Sequence, residues 1–138
     1  MLLIITLFVI ACTPNKRCTL SKYYINKVDT TRPYMVKGKY CFSNAKDTVI
    51  DGDMGIVSFN VFDRLNGNVV KDGVTWFNGI DTIKVLFNEG GASKQLPEGN
   101  YIIVVSNSNY RALKTKAIRI QKNKKVFINF YLGNSLQW

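Results

Sequence analysis

Short stretches of alternating apolar and polar residues, separated by turn-forming residues, recur from residue 55 to the end of the chain. They are IVSFNVFD (56–63), VTWFNG (74–79), TIKVLFN (82–88), YIIVVSN (101–107), KAIRIQ (116–121) and VFINFYLG (126–133). Such alternation is the pattern of a half-buried strand, and Gly, Asn, Asp and Pro occupy the gaps. One gap contains Asn66-Gly67, a pair that favours a hairpin turn. No stretch has the periodicity of a helix, so the pattern limits the fold to all-β architectures.

A further strand-like stretch, YMVKGKYCF (34–42), precedes this region. Together the stretches predict an antiparallel β-sandwich of about seven strands. The alternation also predicts that Ile118 and Ile120 face the core, whereas Phe127, Asn129 and Tyr131 lie on the opposite face from their neighbours in the last strand. At 138 residues the chain has the size of one domain.

Residues 55–133 resemble the carboxypeptidase regulatory-like domain, a transthyretin-like β-sandwich. The resemblance begins with FNVFDRLNGNVV (59–70), a strand followed by an acidic residue and an Asn/Gly turn. Its most recognisable part is LPEGNY (96–101) followed by IIVV, and Asn109-Tyr110 and a closing Leu-Gly complete it. The resemblance implies a transthyretin-like fold and carries over no catalytic residue.

The chain opens with MLLIITLFVIACTPNK (1–16), in which an uncharged run precedes Cys12. As a helix this run would be about 15 Å long, half the thickness of a bilayer's hydrocarbon core, so a transmembrane helix is not expected. The length fits the apolar core of a signal peptide. Val9–Cys12 resembles the lipobox of bacterial lipoproteins, in which the signal is cleaved before a cysteine that then carries acyl chains, palmitate among them. A buried N-terminal strand is the alternative.

The residues after Cys12, TPNKR (13–17), are polar and cationic, as expected of a tether beside anionic lipid headgroups. Position 13 is Thr and not the Asp that retains some lipoproteins in the inner membrane. The lipoprotein resemblance therefore implies an outer-membrane anchor that faces the periplasm. The expected organisation is a signal peptide (1–11), a tether and irregular lead-in (12–33), a lead-in strand and turn (34–54), the sandwich domain (55–133) and a short tail (134–138).

If Cys12 carries the lipid, Cys18 and Cys41 remain. An even number of cysteines in an exported protein favours a disulfide between them. Closing a loop of this length stabilises a fold by about 3 kcal/mol on the chain-entropy account. Two unpaired thiols are the alternative.

The formal net charge of +10 is unevenly distributed. Residues 16–46 hold eight Lys or Arg and one acid, residues 47–100 hold eight acids and four Lys or Arg, and residues 111–125 hold seven Lys or Arg and no acid. Basic patches of this kind attract lipid headgroups, polysaccharides or nucleic acid. A solubilising excess on exposed strands is the simpler interpretation, and nucleic acid is not expected for a protein outside the cytoplasm.

The chain contains no histidine, which excludes Ser-His-Asp and Cys-His catalysis and the common His-based zinc sites. No phosphate-binding loop is present. Asp47, Asp51 and Asp53 form an acidic cluster in which calcium binding and a plain polar turn are the two interpretations, the second being simpler. We expect neither an enzyme nor a bound cofactor or metal.

The candidate binding residues are aromatic and cationic side chains, because such surfaces stack on rings and attract anions. They are Trp76, Tyr110, Arg111, Lys114, Lys116 and Arg119. For Trp76, packing in the core is the simpler interpretation and exposure on a binding face the other. The predicted function is a non-catalytic, lipid-anchored envelope module that binds an envelope protein or a glycan. The alternative is a structural subunit of a surface appendage, assembled by exchange of an apolar C-terminal strand ending in Trp138.

Overall fold

The computed structural model describes residues 17–20, 38–43 and 45–133, and within these ranges the chain is all-β and contains no helix. The described strands are β1 (Arg17–Leu20), β2 (Lys39–Phe42), β3 (Lys46–Asp47), β4 (Met54–Asp63), β5 (Gly73–Asn78), β6 (Thr82–Phe87), β7 (Gly91–Pro97), β8 (Gly99–Ser106), β9 (Leu113–Ile120) and β10 (Lys124–Leu132). None of the described segments forms a helix that is long and apolar enough to cross a membrane.

The strands form two sheets that enclose one core. The first sheet has the order β1-β2-β10-β4-β7, with β3 also paired to β10, and the second has the order β6-β5-β8-β9. The predicted all-β sandwich is confirmed, and its body from β4 to β10 has seven strands. One pair departs from the antiparallel rule: β10 lies beside β4 in parallel, with Phe130 opposite Val61. Between these two strands the chain passes to the second sheet and back twice, through β5 and β6 and then through β8 and β9.

Aromatic rings fill the centre of the core. Phe59 of β4 lies 6.1 Å from Phe77, 5.8 Å from Phe87 and 5.8 Å from Phe130, measured between ring centroids. The last two contacts are edge-on, the arrangement that aromatic pairs favour. The two sheets are thus joined through side chains of β4, β5, β6 and β10.

The predicted alternation is confirmed in both late strands. Ile118 and Ile120 are buried, as are the even-numbered side chains of β10 from Val126 to Leu132. Arg119 and Phe127 lie on the outer faces, since their neighbours on either side point into the core. The lysines at outward positions of these strands therefore displace no apolar side chain from the core.

Strand β7 was not expected, because its residues lie in the gap between the predicted strands 82–88 and 101–107. Gly91–Pro97 pairs with β4 along seven positions at the edge of the first sheet. An edge strand needs few inward apolar side chains, and here Leu96 alone is fully buried. Pro97 ends the strand, where the missing N–H breaks no ladder bond.

The run LPEGNY, the most recognisable part of the family resemblance, is the corner at which the chain passes from the first sheet to the second. Leu96 ends β7 inside the core and Tyr101 is buried early in β8. The Tyr101 hydroxyl donates a hydrogen bond of 2.6 Å to the carbonyl of Pro97, which closes the corner. Glu98, between the two strands, accepts from the Lys122 N–H at 3.0 Å. The sequence of this run therefore serves the crossing between sheets.

Candidate binding faces

The outer face of the second sheet brings together the central tryptophan and the lysines of neighbouring strands. Trp76 lies opposite Lys84 on one side and Val104 on the other, and Val104 in turn lies opposite Lys114. Trp76 is partly exposed, so the expectation that it packs in the core is wrong. Its neighbour Phe77 takes the inward position instead, against Phe59.

Apolar side chains surround Trp76 on this face. Leu86 and Ile102 are 70% and 38% exposed, and Val74 and Val104 are partly exposed beside them. We call the outward side chains of β5, β6, β8 and β9 the Trp76 face. A contiguous exposed apolar patch marks an interaction site more often than isolated apolar residues do.

Cations border the apolar part of the Trp76 face. Lys84 lies on β6, whereas Lys114, Lys116 and Arg119 lie on β9. Arg119 forms an ion pair of 3.2 Å with Glu98, so part of its charge is compensated. Of the predicted residues, the structure therefore brings Trp76 and Lys114 into one cross-strand row and places Lys116 and Arg119 further along the same edge strand.

A bulge in β9 exposes Lys116 and Ala117 side by side. The register between β8 and β9 shifts by one residue between Ile102 and Val104. The buried Thr115 hydroxyl fills the bulge, accepting from the Ile103 N–H at 2.9 Å and donating to the Lys116 carbonyl at 2.7 Å. Bulges are common at sheet edges, where they redirect a side chain.

Tyr110 and Arg111 lie outside this face, in the turn before β9. The Tyr110 hydroxyl donates a hydrogen bond of 2.8 Å to a carboxylate oxygen of Asp63, and its ring packs against the core. Burial raises the pKa of Tyr110, and the hydrogen bond to Asp63 and the charge of Asp63 add to the rise. The Arg111 N–H donates to the carbonyl of Gly133. Tyr110 thus holds two turns together, which is a structural role.

The acidic cluster does not gather into a metal site. Asp53 forms an ion pair of 2.9 Å with Lys122, and Asp47 pairs with Lys124. Across residues 17–20, 38–43 and 45–133, no three His, Cys, Asp or Glu side chains are grouped as metal ligands. The polar-turn interpretation of this segment fits these pairings.

Cys18 and Cys41 lie directly opposite each other in β1 and β2 and are joined by a disulfide, with Cα atoms 4.0 Å apart. Cys41 lies opposite Asn129 of β10, so the bridge is on the outer face of the first sheet. Cys12 and Trp138 lie outside the described residues.

The outer face of the first sheet carries a cluster that our sequence analysis did not single out. Lys46 and Lys125 place their ammonium groups 5.5 Å and 5.1 Å from the centroid of the Phe127 ring, which is 38% exposed. Alternation alone predicted Phe127 outward, but only the pairing of β3 with β10 places Lys46 beside it. Further along the same face, Lys39 lies 5.1 Å from the centroid of Tyr131.

A groove of about 500 Å³ lies between β9 and β2 at one side of the sandwich. It is lined mainly by Tyr40, Phe42, Ala117, Ile118, Arg119 and Val126. Among the described strands β9 pairs only with β8, and its other edge borders this groove.

Comparisons of the chain with protein-family models, with curated proteins and with solved structures found no match.

Proposed function

We propose that the protein is a non-catalytic binding module of a bacterial cell envelope, anchored by lipid at Cys12, and that the Trp76 face contacts a partner protein. The observation that carries the proposal is the exposed apolar patch of Leu86, Val74, Trp76 and Val104 with its cationic border. Aliphatic side chains beside a tryptophan favour a protein surface over a sugar, because branched aliphatic groups offer no flat stacking plane.

The basic border of the Trp76 face predicts the charge of the partner surface. Every charged side chain at the outward strand positions of this face is basic: Lys84, Lys114 and Arg119, with Lys116 in the bulge. A complementary partner surface has an apolar centre and acidic residues around it, because like charges across an interface oppose association.

The family proposal has support of a different kind. The seven-stranded body begins at Met54 and ends at Leu132, close to the boundaries of the resemblance. LPEGNY forms a closed corner in this body, so a motif shared with transthyretin-like domains has a definite structural task here. We propose on this basis that the sandwich is of the transthyretin-like, carboxypeptidase regulatory-like kind.

The lipid anchor is tested by the intact mass of the protein extracted in detergent from its own host. We expect the mass of residues 12–138 plus acyl chains, less the two hydrogens lost in the Cys18–Cys41 disulfide. A mass that retains Met1 and carries no acyl chain rejects the anchor.

The Trp76 face is tested by photo-crosslinking in the cell. A photoreactive amino acid at Leu86, in the patch, is expected to give one enriched adduct, and Trp76→Ser in the same chain should abolish it. The matched control places the same group at Ser93, which is exposed on β7 of the other sheet. Equal adducts from both positions, or background proteins only, contradict the proposal.

The edge of β9 that no described strand pairs with favours a second candidate, a structural subunit assembled by strand exchange. Unpaired strand edges accept an extended segment through main-chain hydrogen bonds. It ranks second because β10 already completes the first sheet between β2 and β4. Ladders that resist boiling on a gel support this alternative, and a monomer band alone rejects it.

A further inference from the structure

We infer that the outer face of the first sheet, around Phe127, Lys46 and Lys125, docks on an anionic membrane surface. The inference rests on the proposed anchor at Cys12, and its test separates the two. We call these three residues the Phe127 cluster. The Trp76 face lies on the opposite side of the sandwich, so this docking leaves that face free.

The charged side chains at the described outward positions of this face all have the same sign. At the described outward positions of β2, β3, β4, β7 and β10, every charged side chain is a lysine: Lys39, Lys46 and Lys125. The nearby carboxylates of Asp47 and Asp53 already pair with Lys124 and Lys122. Asp51 adds one negative charge in the turn that follows β3. A surface of this kind is attracted to a leaflet that contains anionic lipids.

An exposed aromatic ring lies between the lysines. The Phe127 ring is 38% exposed, with both ammonium groups within 5.5 Å of its centroid. Val49, which is 99% exposed, adds an apolar side chain two residues beyond β3. Aromatic rings partition into the interfacial region of a bilayer, while lysine stems lie along them and keep their charges at the headgroups. The cluster therefore combines the two interactions that hold a protein on such a surface.

The position of the tether points to the same part of the face. Arg17 lies opposite Phe42, and Phe42 lies opposite Ile128, so β1 begins level with the residue that follows Phe127. Arg17 follows Cys12 by five positions, which is at most about 17 Å of extended chain. The Cys18–Cys41 disulfide fixes β1 to the sheet at this level. A lipid at Cys12 consequently holds this end of the first sheet near the headgroups.

The test uses the lipidated protein, purified from its host and reconstituted in vesicles of phosphatidylglycerol and phosphatidylcholine whose acyl chains carry bromine. Bromine quenches tryptophan fluorescence only at short range. The reporter is Phe127→Trp with Trp76→Phe and Trp138→Phe, and the matched control keeps Trp76 alone through Trp138→Phe. We expect a blue shift and strong quenching at position 127, and neither at position 76.

The lysines are tested in the same reporter with Lys46→Gln and Lys125→Gln together. Each lysine removed should lower the ratio of docked to undocked molecules about fivefold at low salt. The charge-matched control is Lys84→Gln with Lys94→Gln, on β6 and β7, which should leave the quenching unchanged. High salt, or vesicles of phosphatidylcholine alone, should reduce the quenching as Lys46→Gln with Lys125→Gln does.

Two results overturn the inference. In lipidated protein, equal quenching at positions 127 and 76 means that the anchor stands and the docking face is wrong. If an anionic polysaccharide changes the emission at position 127 and vesicles do not, the face is assigned to a glycan. If the intact mass shows no acyl chain, the anchor fails, and the same vesicles added to the unlipidated chain decide whether the Phe127 cluster docks without it.

Discussion

The hydroxyl of Tyr40 accepts a hydrogen bond of 3.0 Å from the backbone N–H of Lys116, and so links β2 in the first sheet to the bulge of β9 in the second. Tyr40 is 1% exposed and its ring belongs to the core. One side chain therefore satisfies a backbone group that the bulge removes from the ladder. This hydrogen bond joins the two sheets at the groove between β2 and β9.

Tyr40→Phe should destabilise the fold by about 1–2 kcal/mol, because the Lys116 N–H loses its partner while the ring still fills the core. Urea unfolding followed by fluorescence measures the change. Tyr131→Phe is the matched control, since it keeps the ring that stacks on Phe62 at 5.4 Å. A Tyr40→Phe variant as stable as the wild type contradicts the assigned role of this bond.

Two buried threonines should respond differently to the same substitution. Thr115→Val removes the hydroxyl that the Ile103 N–H donates to, and should cost about 1–3 kcal/mol of unfolding free energy. The buried Thr75 hydroxyl has no hydrogen-bond partner among the described residues. Thr75→Val should thus be neutral or stabilising by about 1 kcal/mol. Parallel urea titrations compare the two, and equal losses would show that volume and not hydrogen bonding decides.

Alkaline pH should destabilise the protein through Tyr101 and Tyr110. Burial raises the pKa of Tyr101, with a further rise from the charge of Asp81, and burial and Asp63 raise that of Tyr110. A raised folded-state pKa stabilises the fold fully below the ordinary tyrosine value of about 10. That contribution disappears as pH rises through the folded-state pKa values.

The urea midpoint, measured between neutral pH and pH 12, should therefore fall above about pH 10. Tyr110→Phe should flatten this alkaline fall, and combining it with Tyr101→Phe should flatten it further. A slope that neither substitution alters would assign the alkaline transition to other groups.

Reduction of the Cys18–Cys41 disulfide should lower the unfolding free energy by about 3 kcal/mol, because it releases a constraint on the unfolded chain. Cys18 is exposed, so a reductant reaches the bond without prior unfolding. Cys18→Ser with Cys41→Ser should reproduce the loss, and reductant should then have no further effect on that variant. A loss well below about 1 kcal/mol would mean that β1 adds little to the fold.

Alternation predicted most of the sandwich because a strand with one buried face must repeat every second residue. It failed at Gly91–Pro97, where an edge strand needs few apolar contacts, and it could not decide which of Trp76 and Phe77 faces inward. That choice depends on the position of Phe59 across the core, which no local pattern contains. The Phe127 cluster was hidden for a related reason, since Lys46 and Phe127 meet only through long-range strand pairing.

The parallel pairing of β4 with β10 also governs when the chain can fold. Ile56 has no neighbour on that side until Lys125 and the residues after it have been synthesised. A sheet closed by its last strand depends on contacts between distant parts of the sequence, and such contacts form slowly. A nascent chain still held at its carboxyl end therefore lacks the strand that joins β4 to β2 in the first sheet.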